Sequence, residues 1–251
     1  MENPAHNGEE AAASGSPTRP SVIRVVRRSF AACYDYLGPA VAVNFVVSLL
    51  FAPVVIWWLV PIRGWQSPFP AVFGAVVRSA VVLVLAAVFA SGLLEMAKRM
   101  VDRNEVAFTN LFRGIGANWL ISLKSGALNA FVLVVIALDM LYLAASSSWA
   151  LRTGAVVLGY LGILWILSQI YQLPLLLEKR RSVLWSVKQS VLLVLDNPLF
   201  TLGIAAVIMV SVWVSAAIRL PLVLWLPVWL SVLQRSALQE LLRKYEALQQ
   251  E

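Results

Sequence analysis

EKRRSVLWSVKQSVLLVLDNPLF, residues 178–200, runs from a cluster of positive charge straight into an apolar stretch, and the way it divides decides the fold. At about 100° per residue, one helical arc holds Val183, Leu184, Val187, Val191, Val194 and Leu195. Ser182, Ser186, Gln189 and Asp196 lie opposite. Such a segment reads as an amphipathic helix at a membrane interface as far as Asp196, after which Asn197-Pro198 opens a new apolar helix. The same pattern stands 161 residues earlier, where SVIRVVRRSFAACYDYLGP (21–39) aligns with SVLWSVKQSVLLVLDNPLF (182–200). Ser21 meets Ser182, Ser29 meets Ser190 and Asp35 meets Asp196. Asp35 and Asp196 precede Gly38 and Pro198 closely enough to be expected as caps for the helices that follow.

Composition agrees with a membrane setting. The 251 residues are 60% hydrophobic and 13% charged, whereas soluble domains carry roughly 25% charged residues. One cysteine (Cys33) and one histidine (His6) leave no intramolecular disulfide, no His-based triad and no Cys/His zinc site. Residues 1–20 are polar and without periodicity, and are expected to form a disordered cytoplasmic tail. No apolar run with a small-residue cleavage site follows the start, so no secretory signal peptide is expected.

Residues 21–251 are expected to form a single membrane domain with six spans, at about 38–60, 76–97, 125–145, 154–177, 198–218 and 220–235, and a cytoplasmic helix at 236–249. The sixth is short and carries Pro221 and Pro227, so a re-entrant segment is the alternative. With this alternation 16 of the 20 Lys and Arg residues fall on one side, which places both termini in the cytoplasm of a bacterial inner membrane. Trp57, Trp58, Trp65 and Trp149 then fall near the outer interface. The connection at 107–126 is also amphipathic and basic and reads as a weaker third copy of the interfacial segment. The expected fold is therefore all-α and polytopic, built as three helical hairpins, each preceded by an interfacial helix.

The stretches NLFRGIGANWLISLKSGALNAFVLVVIALDMLYL (110–143) and YQLPLLLEKRRSVLWSVKQSVLLVLDNPLFTLGI (171–204) carry a family likeness. The matching features are Phe112-Arg113-Gly114 with Asn118-Trp119, a span ending near Asp139, Pro174 in a span end, and Asn197-Pro198 after a basic helix. In these the chain resembles the YesL-like bacterial integral membrane proteins, a family of unknown function. The resemblance covers most of the chain after the tail. It implies a multi-span protein of the cytoplasmic membrane linked to carbohydrate uptake, and it brings no catalytic residues.

Asp139, inside VVIALDMLYLAA, is the sharpest oddity, because a carboxylate within a span is costly and calls for a partner. Arg152 and Arg219 are the expected outer-side partners, and a substrate, proton or ion contact is the other reading. Asn44 and Asn129 can hydrogen-bond between helices, while Asn44 and Gln169 can equally line a polar path. Glu95 is expected to pair with Lys98 or Arg99 on its own helix. GIG at 114–116 has neither the context nor the spacing of a nucleotide loop. The functional expectation is a non-catalytic protein, accessory or regulatory to a solute (carbohydrate) uptake system, with no cofactor or metal. Its expected contacts are anionic lipid headgroups and a transport-system protein rather than nucleic acid. The alternative is a transporter or channel subunit with a polar path near Asp139.

Overall fold

The computed structural model describes residues 20–59, 68–102, 106–218 and 224–248, and among these there are helices but no strands. The helices are α1 (Val22–Asp35), α2 (Leu37–Leu59), α3 (Pro68–Val101), α4 (Thr109–Ala145), α5 (Trp149–Lys179), α6 (Val183–Asp196), α7 (Pro198–Ile218) and α8 (Leu226–Leu248). Residues 1–19 of the expected tail, Arg63, Trp65, Arg219 and the start of the sixth segment with Pro221 lie outside the described residues.

Five helices, α2, α3, α4, α5 and α7, are long and apolar enough to cross a membrane. Their outward side chains include Phe45, Leu49, Ile163, Leu202 and Met209, all exposed. So much contiguous outward apolar surface is that of a membrane protein.

The repeat is visible in the backbone. α1 and α6 are both 14 residues long, and they start and end 161 positions apart, at 22 and 183 and at 35 and 196. The helices that follow also start 161 apart, at 37 and 198. Burial keeps the same register: Val25, Ser29, Ala32 and Cys33 face the protein in α1, and Ser186, Ser190, Leu193 and Val194 do so in α6. Ala40 and Val43 are matched by Thr201 and Ile204. The buried seam mixes Ser, Ala and Cys with Val25, Leu193 and Val194. Ile23 and Tyr34 in α1, with Leu184 and Leu195 in α6, point outward.

Proline explains where the copies break. Pro198 is the first residue of α7; it has no N–H to donate and restricts the backbone of Asn197, which sits at φ −131°. Pro39 plays the corresponding part in the first turn of α2. The middle copy is different. α4 runs without interruption from Thr109 to Ala145, so the expected separate interfacial helix at 107–126 is the first half of a single 37-residue helix. No proline lies in that stretch, and Gly114 serves packing instead. A Cβ added at Gly92 of α3 would meet the Leu111 carbonyl oxygen at 2.7 Å, and one at Gly114 of α4 would meet Glu95 Cβ at 2.7 Å. Small residues here let two helix backbones approach closely.

The helical pattern of the sixth segment continues, as its sequence through LQRSALQELLRKYEALQ allows: α8 is one helix through the boundary at 235/236, and among the described residues it is not one of the five with the length and apolarity of a span. Val228, Trp229, Val232, Leu233, Ala237, Leu238 and Leu241 are buried, so the helix is wrapped by protein. It packs on α1, α3 and α5, and also on α2 and α7. The part of α8 up to Leu233 is apolar on most sides and suits a core, and here that core helix is the last one described.

Candidate functional site

Beyond Leu233, polar side chains of α8 reach the ends of four other elements. Arg235 is buried and pairs with Glu178 near the end of α5. Gln239 Nε2 donates to Asp102 Oδ1, just past α3, at 3.3 Å. Glu240, only 8% exposed, accepts from Arg24 Nη1 at 2.9 Å and from the Ser21 N–H at 3.4 Å, which holds the start of α1. A buried carboxylate needs such pairing to offset its lost hydration.

The last anchor is the joint between α6 and α7. Asp196 accepts from the Tyr245 hydroxyl, from Asn197 Nδ2 at 3.1 Å and from Lys244 Nζ at 3.4 Å. Asn197 Nδ2 also donates to Tyr245 Oη at 2.9 Å, and Lys244 Nζ donates to Asn197 Oδ1 at 2.8 Å. The Tyr245 hydrogen bond, with help from Lys244 and Asn197, holds the Asp196 carboxyl below its ordinary pKa. Burial first, then the hydrogen bond to Asp196, pushes the Tyr245 hydroxyl up to about 12. Asp196 makes no capping hydrogen bond to the first turn of α7 among the described residues; its carboxylate turns to α8. Asp35, its counterpart, is exposed and makes no hydrogen bond to the start of α2 among the described residues.

The expected intramembrane polar site is not assembled. Asn44 is fully buried and acts across the fold: its Nδ2 donates to the Leu224 carbonyl at 3.0 Å, and its Oδ1 accepts from the Val228 N–H at 2.9 Å. Val228 is the third residue of α8, so a side chain of α2 supplies the N-terminal cap of the core helix. Gln169 bonds within its own helix, Nε2 donating to the Trp165 carbonyl at 3.2 Å. Asp139 is exposed on α4 and forms no ion pair among the described residues. It lies six residues from the α4–α5 turn and Gln169 lies 20 residues beyond it. At about 1.5 Å per residue their levels differ by about 20 Å. Arg152, expected to partner Asp139, instead donates from Nε to the Ser146 carbonyl at 2.8 Å, closing the C-terminus of α4. Arg219 lies outside the described residues. Glu95 and Arg99 do approach, at 3.9 Å.

A second polar group escaped sequence reasoning. Gln172, one turn beyond Gln169 and fully buried, donates from Nε2 to Ser125 Oγ at 3.2 Å, and its carbonyl accepts from Ser186 Oγ at 2.6 Å. This ties α4, α5 and α6 together. Gln172 Oε1 and Ser122 Oγ are buried without a partner among the described residues. The only signal in the sequence was glutamine spaced at helical period in a span, shared equally by Gln169.

No family model, curated protein or solved structure matches the chain.

Proposed function

We propose that the chain is a non-catalytic, multi-span protein of the bacterial cytoplasmic membrane, accessory or regulatory to a solute uptake system. Six crossings, the last at about 220–235, bring both termini to the cytoplasmic side, in keeping with the placement of Lys and Arg. α1 and α6 then lie at the cytoplasmic interface, and the charged end of α8 joins them. One observation carries the reading: α8 hydrogen-bonds the ends of α1, α3, α5 and α6 into a single surface. A surface held this firmly is suited to a partner rather than to a gating motion. The resemblance to YesL-like proteins supplies the link to carbohydrate uptake.

Mild solubilisation followed by affinity capture should co-purify uptake-system proteins with the wild type. A Glu240→Gln variant, which loosens α1 from α8, should lower their recovery. Reporter fusions after residue 65 and at the C-terminus should report opposite sides. Fusions on the same side would overturn the topology.

The unpartnered Gln172 Oε1 and Ser122 Oγ favour a second reading, a transporter or channel subunit, since buried polar atoms within spans can line a path. Solute flux by the purified protein in liposomes, abolished by Gln172→Leu, would establish this reading and displace the first.

A further inference from the structure

A cavity of about 500 Å³ opens between α5, α6 and α8, a size typical of small-ligand sites. Leu175, Leu193 and Leu242 form its apolar floor, Trp185 a wall, Leu192 a lip, and Lys179 stands at its mouth. Its level is set by the chain itself. Lys179 is the last residue of the apolar helix α5, and Asp196, also in the lining, comes two residues before α7 starts. The cavity therefore sits where two membrane-length helices end, the headgroup layer of a bilayer.

Two cations stand at its rim: Lys179 in the lining itself, and Arg181 beside the lining residue Trp185. The acid in its lining, Asp196, already accepts from Tyr245, Asn197 and Lys244. Lys179 and Arg181 have no acidic partner among the described residues, and the Arg181 guanidinium lies 5.3 Å over the Trp185 ring. Leu192 is 47% exposed and one turn from Leu195, 59% exposed, so the lip continues into outward apolar surface. Leu192 thus links that outward apolar surface to the leucine floor.

We propose that this cavity binds one anionic phospholipid of the adjoining leaflet, its phosphate between Lys179 and Arg181 and one acyl chain laid over Leu192 onto the leucine floor. The proposal rests on α6 lying at the interface and names the lipid that this face selects. The bound lipid joins α6 to α5 and α8 at the joint where Asp196 is anchored.

The test uses the full chain, delipidated in detergent, with bound lipid counted by native mass spectrometry. Phosphatidylglycerol, phosphatidylethanolamine and headgroup-only glycerol phosphate are titrated in parallel. The wild type should retain one phosphatidylglycerol in preference to phosphatidylethanolamine. The double variant K179Q/R181Q should lose about 30-fold in phosphatidylglycerol affinity, about fivefold per cation. Leu192→Trp, which blocks the lip, should weaken both lipids, and Lys124→Gln, an exposed cation on α4 outside the cavity lining, should change nothing. Equal binding of the two lipids, equal loss in K124Q and K179Q/R181Q, or displacement by glycerol phosphate at equal concentration would each overturn the proposal. A quencher-sensitive label at L184C, an exposed position on α6, reports membrane depth separately. No quenching from the bilayer sinks the interfacial reading and this proposal together; quenching without lipid preference sinks this one alone.

Discussion

Replacing Asn44 with leucine tests the claim that one side chain of α2 caps the core helix. The substitution roughly conserves volume but removes the acceptor for the Val228 N–H and the donor to the Leu224 carbonyl, at a fully buried site. Two interhelical hydrogen bonds at the average measured in membranes, about 0.6 kcal/mol each, give about 1.2 kcal/mol. Leaving a buried backbone donor at a helix start unpaired adds about 1–3 kcal/mol. The total is about 2–4 kcal/mol, or a fall of about 5–15 °C in Tm for a chain of this size. The protein carries its own reporter. Cys33 is the single cysteine, it is buried on the side of α1 that faces the protein, and burial raises its pKa to about 12. A thiol-reactive fluorophore should label it only on unfolding, so a temperature ramp in detergent gives the midpoint. Asn129→Leu is the comparison, because Asn129 also lies in a span but its buried Oδ1 has no partner among the described residues. Its midpoint should stay within about 2 °C of wild type or rise, as expected where no hydrogen bond is lost. Equal shifts in the two variants, or none at Asn44, would refute the trans-cap.

Gly92→Ala should lower the same midpoint by several degrees, because its Cβ would meet the Leu111 carbonyl oxygen and Ile115 Cγ1 at 2.7 Å; Gly116→Ala, with nothing within 4 Å, should raise it by about 1–4 °C through helix propensity. Stability should depend on acid through Asp196: its folded pKa lies below the ordinary 3.8, so its contribution is present above 3.8 and disappears as pH falls through the lower folded value. Tyr245→Phe should flatten that acid limb, as measured by the midpoint against pH. On the alkaline side the raised Tyr245 pKa predicts stability held below pH 10 and lost as pH climbs toward about 12, a limb also absent in Tyr245→Phe. Glu240→Gln should speed hydrogen exchange at the start of α1 more than in α6, since Glu240 binds Arg24 and the Ser21 N–H.

Much of the architecture was legible along the chain because its causes are local. Apolar length marks a span, amphipathic period marks α1 and α6, and Pro39 and Pro198 mark their breaks, all within a few residues of the effect. The 161-residue repeat, seen first as paired serines and aspartates, reappears as the same buried positions in both copies. The middle copy misled because its amphipathic pattern continues into α4 with no proline to interrupt it.

What a polar side chain does in this protein was decided by tertiary structure. Asn44 and Gln169 look alike in sequence, yet one caps a helix 184 residues away and the other bonds its own helix. Asp196 looked like a cap for α7 and is held by Tyr245, 49 residues on. In a low-dielectric setting a polar group takes whatever partner the packing brings within reach, and that partner is set by distant contacts rather than by local pattern. The sequence by itself determined the solvent, the helices and their breaks; the fold alone decided that the last helix would be the core and that its polar side chains would fasten the others.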